Sequence, residues 1–169
     1  MSRLGLFFGS SSGNTEAAAE LIRERLGGEL EVFMNVADAY PEDMDQCDAL
    51  IFGVSTWEDG QLQDDWDIFF PDFEEIDLTG KTVALFGLGD AKGYSGMFVD
   101  AMRILYNKVI ERGATVVGSW PTEGYDFTES EAVIDGRFVG LALDRDNQDE
   151  LTGKRIDQWL AEVMPLLRK

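Results

Sequence analysis

The chain has 169 residues, 44% hydrophobic and 28% charged, which fits one domain (1–169) with a core that stands without disulfides. Fourteen Lys and Arg against 33 Asp and Glu give a formal net charge of -19, so nucleic-acid phosphates and anionic membranes repel it. No His and a single Cys exclude a Ser-His-Asp triad, His metal sites, a CxxC pair, and Cys-ligated zinc or iron–sulfur clusters.

The predicted elements alternate. Residues 4–8 form a short apolar run ended by Gly9, and 16–26 place Ala18, Leu21, Ile22 and Leu26 at helical spacing before Gly27-Gly28. Residues 30–33 alternate like a strand near a sheet edge. The runs 49–54 and 82–86 are continuously apolar, as parallel strands covered on both faces are, and 62–70 between them reads as a helix. Phe98, Met102, Leu105 and Val109 make a further helical stripe closed by Gly113. Residues 115–118 form another strand and 151–167 a last helix. A polar, turn-rich excursion at 120–137 interrupts or follows that strand, and 138–143 reads as a strand again. The alternation predicts an α/β domain with a parallel sheet. The run at 4–8 is too short for an export signal, and no stretch approaches the ~20 apolar residues of a membrane span. A cytoplasmic protein with no membrane insertion is expected.

In an open parallel sheet, ligands bind beyond the carboxyl ends of the strands. Three loops there stand out. Gly9-Ser10-Ser11-Ser12-Gly13-Asn14-Thr15 joins the first strand to the first helix, with small residues, four hydroxyls and the positive end of a helix converging on one point. It lacks the Lys of a triphosphate loop and suits one terminal phosphate monoester; the competing reading is a Ser/Gly-rich turn in which Ser12 or Thr15 caps the helix. Ser55-Thr56-Trp57-Glu58-Asp59-Gly60 puts a Trp just past a buried strand, placed either to stack on a planar ring or to cover the sheet. Gly87-Leu88-Gly89-Asp90-Ala91-Lys92-Gly93-Tyr94 resembles a dinucleotide turn, but Lys92 and Tyr94 interrupt it and the helix starts late. Two aromatics and a phosphate cradle at one sheet edge describe a site for flavin mononucleotide (FMN).

Calcium ligation beginning at Asp144 fails, because the sixth and twelfth loop positions are Asp149 and Arg155. A phospho-acceptor domain would need Asp where Val54-Ser55 stand. Cys47 reads as a structural thiol.

These motifs resemble the flavodoxin family, and specifically its long-chain branch. The cradle follows the pattern T/S-x-T/S-G-x-T. The Ser55-Thr56-Trp57 loop, the GLGDxxGY loop and the segment 138–148 are similar to that branch, as is the excursion at 120–137. The resemblance implies a flavodoxin-like three-layer, doubly wound sheet of five parallel strands in order 2-1-3-4-5, with a long insertion in strand five. It implies non-covalent FMN held by Ser10, Ser11, Ser12, Gly13, Asn14 and Thr15 at the phosphate and sandwiched between Trp57 and Tyr94. Backbone of Ser55, Thr56, Glu58, Asp59 and Gly60, and of Leu88, Gly89 and Asp90, would bond the ring edges. Asp146 would contact the ribityl chain, with Met97, Phe98 and Val99 at the ring or its rim. One peptide at Glu58–Asp59 would turn over on reduction, so that its carbonyl accepts a flavin N–H. The implied function is low-potential one-electron transfer, from a donor of the ferredoxin/flavodoxin–NADP reductase type to redox-enzyme acceptors, with no side chain catalytic. An FMN-dependent NAD(P)H:quinone oxidoreductase on the same fold is the alternative; it needs an open flavin face, which two stacked aromatics would close.

Charge is unevenly placed. Between residues 26 and 80 there is no Lys or Arg, yet sixteen of the 33 carboxylates lie there. Such a face keeps a protein soluble, and it also suits a monomer that docks partners with basic patches at the flavin edge.

Overall fold

The computed structural model describes residues 3–10, 13–57 and 60–168. Its elements in chain order are β1 (Leu4–Phe8), α1 (Asn14–Leu26), β2 (Leu30–Asn35), α2 (Pro41–Asp45), β3 (Ala49–Trp57), β4 (Gln61–Leu62), α3 (Asp64–Phe73), β5 (Thr82–Leu88), α4 (Ala101–Glu111), β6 (Thr115–Val117), β7 (Trp120–Pro121), β8 (Val133–Ile134), β9 (Arg137–Phe138), β10 (Leu141–Leu143), α5 (Arg145–Gln148) and α6 (Thr152–Leu167).

The main sheet runs β2-β1-β3-β5 in parallel, with both β6 and β10 along the outer side of β5. β6 pairs with Thr82–Ala84 and β10 with Phe86–Leu88, so the two lie end to end as one interrupted fifth strand. The order is therefore the 2-1-3-4-5 expected from the resemblance, with the insertion inside strand five. All five residues of β1 are buried because it lies between two neighbours, whereas the edge strand β2 is only half-buried. That contrast reproduces the difference between the continuous apolar runs and the alternating one.

Helices flank the sheet. α1 and α6 pack on each other and on the strands, whereas same-side residues of β3 and β5 meet α3 and α4. Phe52 meets the rings of Trp66 and Phe73 edge-on at 5.5 and 5.4 Å, and two residues further along β3, Val54 lies opposite Gly87, against which Met102 and Val99 pack. Gly53 faces the other way, and a Cβ there would fall 2.1 Å from the Phe86 ring.

The insertion differs from the sequence expectation. Residues 138–143 do not make one strand: Phe138 belongs to a small antiparallel sheet, β7-β9-β8, and only Leu141–Leu143 returns to the main sheet. The break falls at Val139-Gly140, where the chain crosses so close to β5 that a Cβ on Gly140 would lie 2.2 Å from the Leu85 carbonyl oxygen. Phe98, Tyr125, Phe127 and Phe138 form an aromatic cluster with centroids 5.2 to 5.7 Å apart, which gives the insertion its own apolar anchor.

Tyr125 is the polar pin of that anchor. Its hydroxyl accepts from Trp120 Nε1 at 2.8 Å and donates to the Ala142 carbonyl at 2.5 Å, while the Arg155 guanidinium stacks on its ring at 4.0 Å. Burial pushes its pKa up to about 12. Because the folded value exceeds the unfolded one of about 10, this stabilisation is complete below pH ~10 and is lost as pH rises towards 12. Tyr125→Phe is expected to cost about 1–3 kcal/mol at neutral pH by orphaning the indole N–H, and to remove that alkaline loss. Denaturant unfolding at neutral and alkaline pH checks both signs.

Candidate functional site

The carboxyl ends of β1, β3 and β5 open onto a cleft of about 210 Å³ lined by Asn14, Ser55, Thr56, Trp57, Leu88, Gly89, Asp90, Tyr94 and Asp146. Trp57 and Tyr94 are 39% and 53% exposed, values at odds with core residues and fitting ones that await a contact. Trp57 sits at the end of β3, paired with Gln61 of β4, rather than in a free loop. Its Nε1 donates to Ser55 Oγ at 2.8 Å, which fixes the plane of the indole.

At the amino end of α1, Ser10 Oγ accepts from the backbone N–H of Gly13 at 3.1 Å and of Glu16 at 3.3 Å. Gly13 has φ 90°, a left-handed conformation that glycine adopts without strain, and a Cβ there would meet nothing within 4 Å. Gly13 is the N-cap, and Thr15 lies inside the first turn of the helix. Thr15 is buried, and Asn14 faces the cleft. Ser11, Ser12, Glu58 and Asp59 lie outside the described residues.

The 87–100 segment is shaped by close packing. Gly87 and Gly89 admit Met102, Phe98 and Val99, and at Gly93 a Cβ would sit 2.4 Å from Asp90 Oδ2. These glycines therefore serve contacts inside the protein rather than a dinucleotide turn. Val99 itself holds φ 51° and is buried, as is Phe98 in the insertion's aromatic cluster. Neither is among the described residues lining the cleft, nor is half-buried Met97. The resemblance implies that all three lie at the ring or its rim; Phe98 also packs in the core.

Two carboxylates lock the loop. Asp90 Oδ1 accepts from Gly93 N at 2.8 Å, Lys92 N at 3.2 Å and Asn147 Nδ2 at 2.8 Å. The Gly93 bond, followed by that from Asn147, holds Asp90 below the usual carboxylate range. Asp144, fully buried, accepts from Ala91 N at 3.2 Å, Asn147 N at 3.1 Å and Asn147 Nδ2 at 2.9 Å. Asn147 thus bridges both acids. Burial, and then the charges of Asp90 and Asp144, raise the pKa of Asp146. Sequence reasoning missed Asp144 and Asn147; the available signal was an Asp directly before a short helix, the N-cap position that Asp144 occupies. It also missed that Thr56 Oγ1 accepts from Ala101 N at 2.9 Å, so this hydroxyl anchors α4.

The comparisons agree with this geometry. A sequence model of the family described as flavodoxin matches residues 6–159. The chain belongs to the flavodoxin family. It is 50% identical over 169 residues to a flavodoxin of Synechocystis sp., covering 99% of each chain, and 45% identical to flavodoxin 1 of Escherichia coli, covering 96% of this chain and 93% of that one. The crystal structure of Fusobacterium nucleatum flavodoxin bound to flavin mononucleotide superposes with a TM-score of 0.92 at 33% identity, covering 98% of this chain and 99% of that one. Flavodoxins are electron carriers and not enzymes, and the quinone-reductase alternative is not favoured. None of the described helices is long and apolar enough to cross a membrane.

Proposed function

We propose that this single-domain chain holds one non-covalent FMN in the cleft and carries electrons one at a time, as a cytoplasmic monomer, from a reductase of the ferredoxin–NADP type to acceptor enzymes with basic patches. The observation that carries this reading is the pair of exposed aromatics, Trp57 and Tyr94, lining one cleft together with Leu88, Gly89 and the carboxylates of Asp90 and Asp146. The residues fit such a group. Trp57 and Tyr94 offer two aromatic faces, Gly13 leaves open space at the mouth of α1, and Leu88, Gly89 and Asp90 line the same cleft.

In this reading Ser10, Gly13, Asn14 and Thr15, with Ser11 and Ser12, hold the phosphate through hydroxyls, N–H groups and the helix N-terminus. Trp57 and Tyr94 exclude water from both faces of the ring, and Ser55 keeps the indole in plane. Ser55, Thr56, Gly60, Leu88, Gly89 and Asp90 bond its edges through their backbone, together with Glu58 and Asp59; Asp146 meets the ribityl chain. The bound flavin supplies the redox chemistry. Asp90 and Asp146, on the same cleft, oppose added negative charge: a unit charge ~10 Å away at an effective dielectric of ~20 contributes ~1.7 kcal/mol before screening, or several tens of millivolts.

The acidic tract from 27 to 80 supports docking of basic partners. Electron transfer from the reduced, FMN-loaded protein to cytochrome c, a basic haem protein, is expected to slow as ionic strength rises. A rate that stays flat with salt counts against steering.

A further inference from the structure

We propose that Ile68 is the apolar anchor of the partner-docking face, and that it fits a protein presenting an apolar contact ringed by Lys or Arg. This rests on the docking reading above and names the side chain that would hold the complex together.

Three observations lead there. First, α3 turns Trp66, Phe69 and Phe73 inward at helical spacing, so Ile68 is not needed to seal the core. At 78% exposure it is the most exposed large apolar side chain among the described residues. Second, Asp64 and Asp72 stand one turn before and after it, and Asp67 beside it, all exposed. None of these three takes part in an ion pair among the described residues. Lys108, which reaches α3 at the Phe70 ring, is already paired with Glu74 and Glu111. Third, α3 follows directly on β4, the strand paired to Trp57, so its amino end, with Asp64, starts two residues after that strand.

Charge selects the occupant. A second copy would bring a like acidic ring, and a net charge of -19, against the first. An anionic lipid surface is repelled for the same reason. A basic protein is attracted, and its cations over the three aspartates would leave Ile68 at the centre of a water-excluding ring, the arrangement in which one residue dominates affinity. The charges would then set the association rate, and Ile68 the dissociation rate.

The test is equilibrium and kinetic binding of the full, FMN-loaded chain to a ferredoxin–NADP-type reductase at several ionic strengths. Ile68→Ser is expected to raise Kd about tenfold, through faster dissociation, with the salt dependence unchanged. Ile68→Leu should restore most of the affinity, and Ile110→Ser, on exposed α4 surface, should leave Kd unaltered. An unchanged Kd for Ile68→Ser, with wild-type affinity still falling as salt rises, overturns the anchor and leaves the docking reading standing. A tenfold loss with no salt dependence supports the anchor and rejects steering. Flat salt dependence with no loss rejects both. A wild-type dimer that Ile68→Ser abolishes overturns the assignment to a basic partner.

Discussion

Replacing Trp57 and Tyr94 together by alanine is expected to weaken FMN binding by about two to four orders of magnitude, since stacking on each aromatic face is worth ~1–3 kcal/mol. The flavin-free protein should unfold within about 1 kcal/mol of the parent, because neither side chain belongs to the buried core. This separation of binding from stability distinguishes aromatics held ready for a ring from aromatics that cover the sheet. Titration of FMN into the flavin-free protein, followed by quenching of flavin fluorescence, gives the affinity; thermal unfolding gives the stability. Ser55→Ala, which releases the Trp57 indole, should weaken binding by a smaller factor without moving the unfolding temperature. A loss below fivefold in the double variant, or equal losses of binding and stability, would contradict the sandwich.

The second large effect concerns the return of the chain from the insertion. Gly140→Ala is expected to destabilise the fold by about 3 kcal/mol or more. The added methyl meets the Leu85 carbonyl oxygen, carbon and Cβ at 2.2, 2.8 and 2.9 Å, and a backbone in mid-strand cannot move aside without breaking the β5–β10 ladder. Gly28→Ala provides the contrast. A Cβ there meets nothing within 4 Å at an ordinary φ, so the change should be neutral or stabilising by about 0.4–1 kcal/mol. Chemical denaturation of both variants measures the difference. Because Leu143 leads directly into Asp144, which holds the 90s loop, Gly140→Ala should also lower FMN affinity.

Why some of this was legible in the sequence and some not follows from the length scale of each signal. β1, β3 and β5 read as apolar runs because they are buried on both faces, and that pattern lies within five to nine residues. The division of 138–143 between two sheets was hidden, because FVGLAL is uniformly apolar and the clash that breaks it involves Leu85, more than fifty residues earlier. The glycines at 87, 89 and 93 resemble a dinucleotide turn, since sequence shows that a Cβ is absent but not what would have struck it. Here it is Met102, Val99 and the Asp90 carboxylate. Phe98 reads as the first residue of a helical stripe, yet α4 begins only at Ala101, and Phe98 is buried against Tyr125, Phe127 and Phe138 of the insertion, contacts that no local spacing reveals. Asp144 and Asn147 carry no local signal of their role, because their partners, Ala91 and Asp90, follow the neighbouring strand β5, more than fifty residues earlier in the chain.

The most direct test of the electron-carrier account is a reductive titration of the FMN-loaded protein under anaerobic conditions, with potential and visible absorption recorded together. The account predicts one FMN per chain and two separate one-electron steps, the second strongly reducing because Asp90 and Asp146 oppose the added charge. Uptake of both electrons in a single step, or failure to bind FMN at all, would contradict it.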